Sequence, residues 1–434
     1  MCSIERFGLK RPRPAPLSTT DPLPIYLDYN ATTPLGEEAW AAITAVHNVW
    51  GNPSSTHPYG MAAKYALEQA RQKVANAIGA ESVESIIFTS GGTESNNIAI
   101  VGGTLALHET YSERCRIICT TVEHPAVENV LAYLQEQKHM GFTTHRFPVN
   151  VKTGCVDVNQ WRKFFLELPG GPKSVALVSV MHANNEIGSI NPIKEIVKMV
   201  KEVCGPEVIF HTDAAQSLGK IPVNVKEMQV DLLSICSHKF YGPKGIGALY
   251  VRNGIQIKNV TYGAGHERGI RPGTENVMLA TGMAEALHVA CKNLSENSKN
   301  MRETRDELLR VMEEELAKVG MWYVINGNKD CALPNTLNLA LYKEKKNKTR
   351  VYVSAQGIIL AVGNQVCMSA GSACHSSAEK VEVSSPLKSV GVDLDRAVGT
   401  LRLSTGRGTT MEEVQRAARI IVRRAAQHFG DMEY

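Results

Sequence analysis

Short aliphatic and β-branched runs alternate with stretches of helical period through the first two thirds of the chain. ESIIFTS (84–90), CRIICTT (115–121), SVALVSVM (174–181), EVIFHTD (207–213), DLLSICS (231–237) and GALYVR (247–252) have the length and residue types of buried strands. EEAWAAITAVHNVW (37–50), PAVENVLAYLQEQKHMG (125–141) and PIKEIVKMVKEV (192–203) instead repeat apolar residues at helical spacing. Such alternation predicts an α/β fold, a mostly parallel sheet with helices on both faces. After about residue 285 the pattern changes. NLSENSKNMRETRDELLRVMEEELAKVG (293–320) predicts one long charged helix leading into a smaller C-terminal domain. The expected division is a flexible arm over 1–24, a large domain over 25–290 and a small one over 291–434, with residues 25–36 free to pack against the small domain.

Composition narrows the chemistry. With 43% hydrophobic and 21% charged residues the chain has an ordinary globular make-up. A net charge of +4, with no basic stretch interleaved with aromatics, argues against nucleic acid as a partner. The tract YKEKKNKTR (342–350) reads as a solvated loop. No apolar run approaches the roughly 20 residues that span a bilayer, so no membrane segment is expected. Arg6, Lys10, Arg11 and Arg13 lie among Pro12, Pro14 and Pro16, which suggests a cytosolic arm, with an organellar presequence as the alternative. Ten cysteines without CxxC pairs fit a reducing compartment, the cytoplasm, and give no sign of a disulfide framework or a metal site.

In open α/β sheets ligands collect where strands end and helices begin. FTSGGTESNN (88–97) offers a phosphate cradle there, without the GK[ST] of a nucleotide-triphosphate loop. Asp213 in HTDAAQS, His124 in TVEHPAV, Asn184 and Asn185 in HANNEIG, and Lys239 in SICSHKFYGPKGIGALYV stand at other strand ends. Each alone has an ordinary explanation, as a cap, a turn or an exposed side chain. Together they match pyridoxal phosphate, which needs a lysine for its aldehyde, a carboxylate for its ring nitrogen, a planar group over the ring and a phosphate cup.

YLDYNATTPL (26–35), GNPSSTH (51–57), TSGGTESNN (89–97), EHPAV (123–127), NNEIG (184–188), HTDAAQS (211–217), SHKFYGPKGIGALYVR (237–252), RPGTEN (271–276), SAGSACHSS (369–377) and RLSTGR (402–407) occur in this order. The series resembles the selenocysteine lyase and cysteine desulfurase family of class V aminotransferase-like, fold-type-I pyridoxal-phosphate enzymes, over about residues 25 to 425. The resemblance implies a large domain with a mostly parallel, seven-stranded-type sheet and a smaller α+β C-terminal domain. It implies that Lys239 binds the cofactor covalently, Asp213 meets the ring nitrogen, and His124 stacks on the ring and helps move protons. It gives Gln216 the ring hydroxyl, Asn185 the ring hydroxyl and the substrate, and Arg402 the substrate carboxylate. Gly92, Thr93, Ser237 and His238 would hold the phosphate, with Thr274 reaching in from a second subunit, hence a homodimer with shared active sites.

Cys374, in a loop of small residues, would be the reactive thiol, and Cys367 a structural one. An unperturbed thiol is only a few per cent ionised at neutral pH, so Cys374 would need activation or would first act as an acid. From cysteine, Cys374 would take up the sulfur as a persulfide. From selenocysteine, selenide or elemental selenium would leave, and both routes release L-alanine. SACHSS, with His375 after the cysteine, HKFYGP and IRPGTEN look closer to selenocysteine lyases, while MHANNEIGSI, SAGSAC and GPKGIG look closer to the desulfurases. The expectation is a selenocysteine lyase. The alternatives are a cysteine desulfurase serving a sulfur acceptor protein and a non-catalytic sulfur-transfer scaffold.

Overall fold

The computed structural model describes residues 23–371 and 382–430. In chain order its strands are β1 (Ile25–Tyr26), β2 (Ile86–Thr89), β3 (Arg116–Thr120), β4 (Thr143–Phe147), β5 (Val175–Ser179), β6 (Ile209–Asp213), β7 (Leu232–Cys236) and β8 (Gly247–Val251). They continue with β9 (Trp322–Ile325), β10 (Thr336–Glu344), β11 (Arg350–Tyr352), β12 (Val366–Cys367), β13 (Ser369–Ala370) and β14 (Thr400–Ser404).

The large sheet has the order β2-β8-β7-β6-β5-β3-β4. Only β8 runs against its neighbours, so the C-terminal ends of β2, β3, β5, β6 and β7 share one edge. All six apolar runs form strands of this sheet. Strands β2, β5, β6, β7 and β8 are buried along their whole length, which is why they read as mostly apolar runs instead of alternating ones. Strand β4 escaped the pattern because it is an edge strand. Its sequence, TTHRF, buries Phe147 alone.

The helices Pro125–Glu136 and Ile193–Cys204 form where periodicity placed them, and Glu37–Ala45 covers the first part of its predicted stretch. One apolar core fills one face of the sheet, with Trp161, Phe165 and Phe210 at its centre. A second core lies on the other face around Ile98, Ile100 and Leu131. The charged stretch forms the helix Leu294–Lys318, about 37 Å long at 1.5 Å per residue. It packs on helix Met411–Gly430 and on an antiparallel sheet in which β10 pairs with β9, β11 and β14, and β14 with β13. This third core contains Leu308, Met312, Leu339 and Ile421 together with Ile25 and Leu27. Strand β1 pairs in parallel with β12, Ile25 opposite Val366.

Candidate active site

A cleft of about 580 Å³ opens at the shared C-terminal edge of the large sheet. Gly92, Thr93, His124, Asn185, Asp213, Gln216, His238 and Lys239 line it from that sheet, and Arg402 reaches it from β14. Ser237 is buried beside it. Thr274 is exposed and does not line the cleft of its own chain. Cys374 and His375 lie outside the described residues.

Lys239 sits in the turn that reverses the chain from β7 into β8. Tyr241 takes a left-handed φ of 68° there, a conformation that needs support from its surroundings. The segment Asn30–Gly36 supplies it. Tyr241 N–H donates to Thr33 Oγ1 (2.8 Å), Gly36 N–H to the Tyr241 carbonyl (2.8 Å), and Thr33 N–H to the His238 carbonyl (2.9 Å). Lys239 Nζ donates to the carbonyls of Asn30 and Ala31, both at 2.8 Å. Burial lowers the basicity of this amine, and Arg402 lowers it further, while Cys236, Asp213 and Asp28 oppose the shift.

Asp213 ends β6, is 7% exposed, and receives two neutral donors, Asn96 Nδ2 (2.8 Å) and Ala215 N–H (2.9 Å). His124 caps the helix Pro125–Glu136, with Nδ1 accepting from Ala126 N–H at 3.0 Å. That bond leaves Nε2 as the protonated nitrogen of the neutral ring. The protein around it depresses its basicity, partly offset by Asp213. The imidazole of His238 is lowered to about 4 by burial and by Lys239 and Lys244. Arg402 is engaged on three sides: Nη1 on the Asn185 carbonyl (3.1 Å), and Nη2 on Asp28 (2.8 Å) and Ser369 Oγ (3.0 Å). Its Nε is buried without a partner.

Four residues of this site had no role in the sequence reading. Asn96 fixes Asp213, Asp28 pairs with Arg402, Asn30 bonds Lys239, and Lys220 bonds Gln216. Asn96, Asp28 and Asn30 fall within quoted motifs, yet nothing in their spacing tells which side chain turns inward. Lys220 stands in none of those motifs.

The residues present fit pyridoxal phosphate. At the proposed phosphate end the buried Ser237 hydroxyl has no partner. Gly91, at φ 154°, opens the helix that begins at Gly92, whose first amides are available to an anion. A Cβ at Gly92 would stand 3.2 Å from that of Cys236. At the other end, a buried carboxylate with only neutral donors suits a ring nitrogen carrying a proton. No group of three or more His, Cys, Asp and Glu side chains among the described residues is arranged to hold a metal.

A seven-stranded sheet with a lysine, a carboxylate and a phosphate cup at one edge defines a fold-type-I pyridoxal-phosphate enzyme. The chain belongs to the class-V aminotransferase family, whose model matches residues 25–417. It is similar to "Cysteine desulfurase IscS" of Dictyoglomus turgidum, 41% identical over 392 residues, 90% of this chain and 91% of that one. "Probable cysteine desulfurase, mitochondrial" of Dictyostelium discoideum is 38% identical over 414 residues, 94% and 84% of the two chains. A solved structure named "NIFS-LIKE PROTEIN" superposes with a TM-score of 0.78 at 31% identity, covering 94% of this chain and all of its own. The protein is thus a pyridoxal-phosphate-dependent enzyme of the cysteine desulfurase group. No helix among the described residues is long and apolar enough to cross a membrane.

Proposed function

We propose that the protein is a cysteine desulfurase, converting L-cysteine to L-alanine with Cys374 as first acceptor of the sulfur. The observation that supports it is the meeting in one cleft of a desolvated lysine amine, a buried carboxylate, an imidazole and an arginine from the second sheet, in a chain whose relatives are named cysteine desulfurases. This reverses the order of the sequence expectation, which put selenocysteine first.

Bound pyridoxal phosphate supplies an electron sink that weakens bonds at Cα and Cβ of an amino acid. Lys239 would hold it covalently, and its amine, once released, would accept the Cα proton of the substrate, a task its lowered basicity suits. Asp213 would keep a proton on the ring nitrogen. His124 would stack on the ring, with Nδ1 committed to Ala126 and Nε2 left for proton transfer. Gln216 and Asn185 meet the ring hydroxyl, Asn185 also meets the substrate, and Gly92, Thr93, Ser237 and His238 receive the phosphate. Arg402 takes the substrate carboxylate with the donors that Asp28, Ser369 and Asn185 leave over. The Cβ–S bond breaks, an S–S bond forms on Cys374, and a proton replaces sulfur on Cβ. One cysteine and one thiol thus give one alanine and one persulfide, which a sulfur acceptor protein can draw on.

We further propose a homodimer in which Thr274 serves the partner's cleft. Trp40, Trp50, Tyr59, Met61 and Tyr65 are all more than half exposed, on or beside the helices Glu37–Ala45 and Pro58–Ala77. An apolar surface of this kind fits a second copy of the chain, and sedimentation equilibrium tests it. Residence in the cytoplasm is tested by cell fractionation, with mitochondria as the comparison that the Dictyostelium discoideum relative suggests.

The deciding experiment is kcat/KM for L-alanine release from L-cysteine and from L-selenocysteine, on wild type and Cys374→Ala. Cysteine turnover that is lost in Cys374→Ala supports the desulfurase. A preference for selenocysteine of about a thousandfold, roughly 4 kcal/mol in the transition state, replaces it with the lyase.

A further inference from the structure

Lys220 is a buried amine that the chemistry above does not use. It is 4% exposed, and its Nζ donates to Gln216 Oε1 (2.6 Å) and Asn30 Oδ1 (3.1 Å), two neutral oxygens. The charged groups acting on it, Lys239 and Arg402, are both cationic and, with burial, disfavour its protonated form. An apolar side chain of similar volume would fill this space at lower cost, so the amine calls for a reason.

Its two acceptors suggest one. Gln216 turns its Nε2 to the Asn30 carbonyl (2.9 Å), the same carbonyl that receives Lys239 Nζ (2.8 Å). Asn30 is saturated. Its backbone N–H donates to Ser404 Oγ and its Nδ2 to the Asn185 carbonyl and Thr336 Oγ1, while Oδ1 also accepts from Asn335 Nδ2. An amide can be turned over at little steric cost, and its hydrogen-bond partners choose the orientation. A turned Gln216 would set its oxygen against the Asn30 carbonyl and its NH2 against the hydrogens of Lys220.

We propose that Lys220 is a positioning residue for the cofactor. By donating to both amides it fixes Gln216 with one N–H on the Asn30 carbonyl and the second left for the oxygen of the cofactor's ring hydroxyl. It holds Asn30 so that its carbonyl steadies the Lys239 amine. The inference rests on the reading of Lys239 and Gln216 as cofactor residues.

The test measures the dissociation constant of pyridoxal 5'-phosphate and the visible spectrum of the reconstituted protein for Lys220→Met, Gln216→Ala and the double variant. Loss of one oriented hydrogen bond is expected to weaken binding about tenfold in Lys220→Met, with a shifted visible band and an apoprotein no less heat-stable than wild type. The double variant is expected to fall short of the product of the two single effects by at least about fivefold, the mark of a shared interaction. Wild-type affinity and spectrum in Lys220→Met, or effects that multiply fully, overturn the proposal. If Lys220→Met does not fold, Lys220→Leu, shorter and likewise without a donor, is read by the same criteria. Lys239→Ala separates the two levels, since retention of wild-type binding and spectrum there removes the cofactor reading itself.

Discussion

Replacing Asp213 by Asn removes one charge and almost no volume from the floor of the cleft. The carboxylate is 7% exposed and bonded only by Asn96 Nδ2 and Ala215 N–H. Neither donor is charged, so in the proposed site the cation this buried anion calls for would be the protonated ring nitrogen. A charge-assisted hydrogen bond of that kind is worth about 1.5–3 kcal/mol. Fully expressed in the transition state, it corresponds to a loss in kcat of roughly 10- to 150-fold. Arg402 is untouched, so KM is expected to change by less than about threefold, the pattern of an interaction made in the transition state alone. The assay is steady-state L-alanine release from L-cysteine at saturating pyridoxal 5'-phosphate, with occupancy read from the visible absorbance of the same sample. A kcat within threefold of wild type at full occupancy refutes the argument.

Two further outcomes concern buried acids. Glu267 and Arg71 form a bidentate pair, 2.6 and 2.8 Å, with Glu267 also accepting Phe88 N–H at 2.8 Å, and both residues are buried. Glu267→Ala is expected to destabilise by about 3–5 kcal/mol in urea unfolding, most of it recovered in Arg71→Met/Glu267→Leu. A loss below 1 kcal/mol, or no recovery, contradicts the pair's assigned weight. Glu123 is buried, and burial raises its carboxyl from 4.5 to about 8. Between these values the native state holds a proton that the unfolded chain has released, so this group's contribution to stability falls as pH rises from 4.5 to 8. Unfolding free energies of wild type and Glu123→Gln across that range are expected to shift steadily in the variant's favour with pH. A constant difference sinks the assignment.

The runs that became central strands were legible because burial on both faces lets apolar residues follow one another without alternation, even where a buried His211 or Ser234 interrupts them. Strand β4 was not, because an edge strand with one buried side chain has no apolar signature. Asp213 and Lys239 could be placed at the cleft because strand ends are where such a sheet binds ligands. Asn30 could not. Its seven hydrogen bonds reach residues as far away in sequence as Ser404, and a polar turn segment shows none of them. Lys220 has the look of a surface lysine after a glycine, and only the packing of the cleft floor reveals it as buried. Substrate choice was the weakest reading because sulfur and selenium differ too little in size for motif shape to separate them.

In the proposed mechanism Lys239 alone carries the cofactor, although Lys220 is buried beside it and Lys244 lines the same cleft. Reduction of the holoenzyme with borohydride, digestion and peptide mass analysis locates the attached pyridoxyl group. It is expected on Lys239, and on Lys239 only. A pyridoxyl group on Lys220 or Lys244, or none on any lysine of a fully loaded sample, contradicts it.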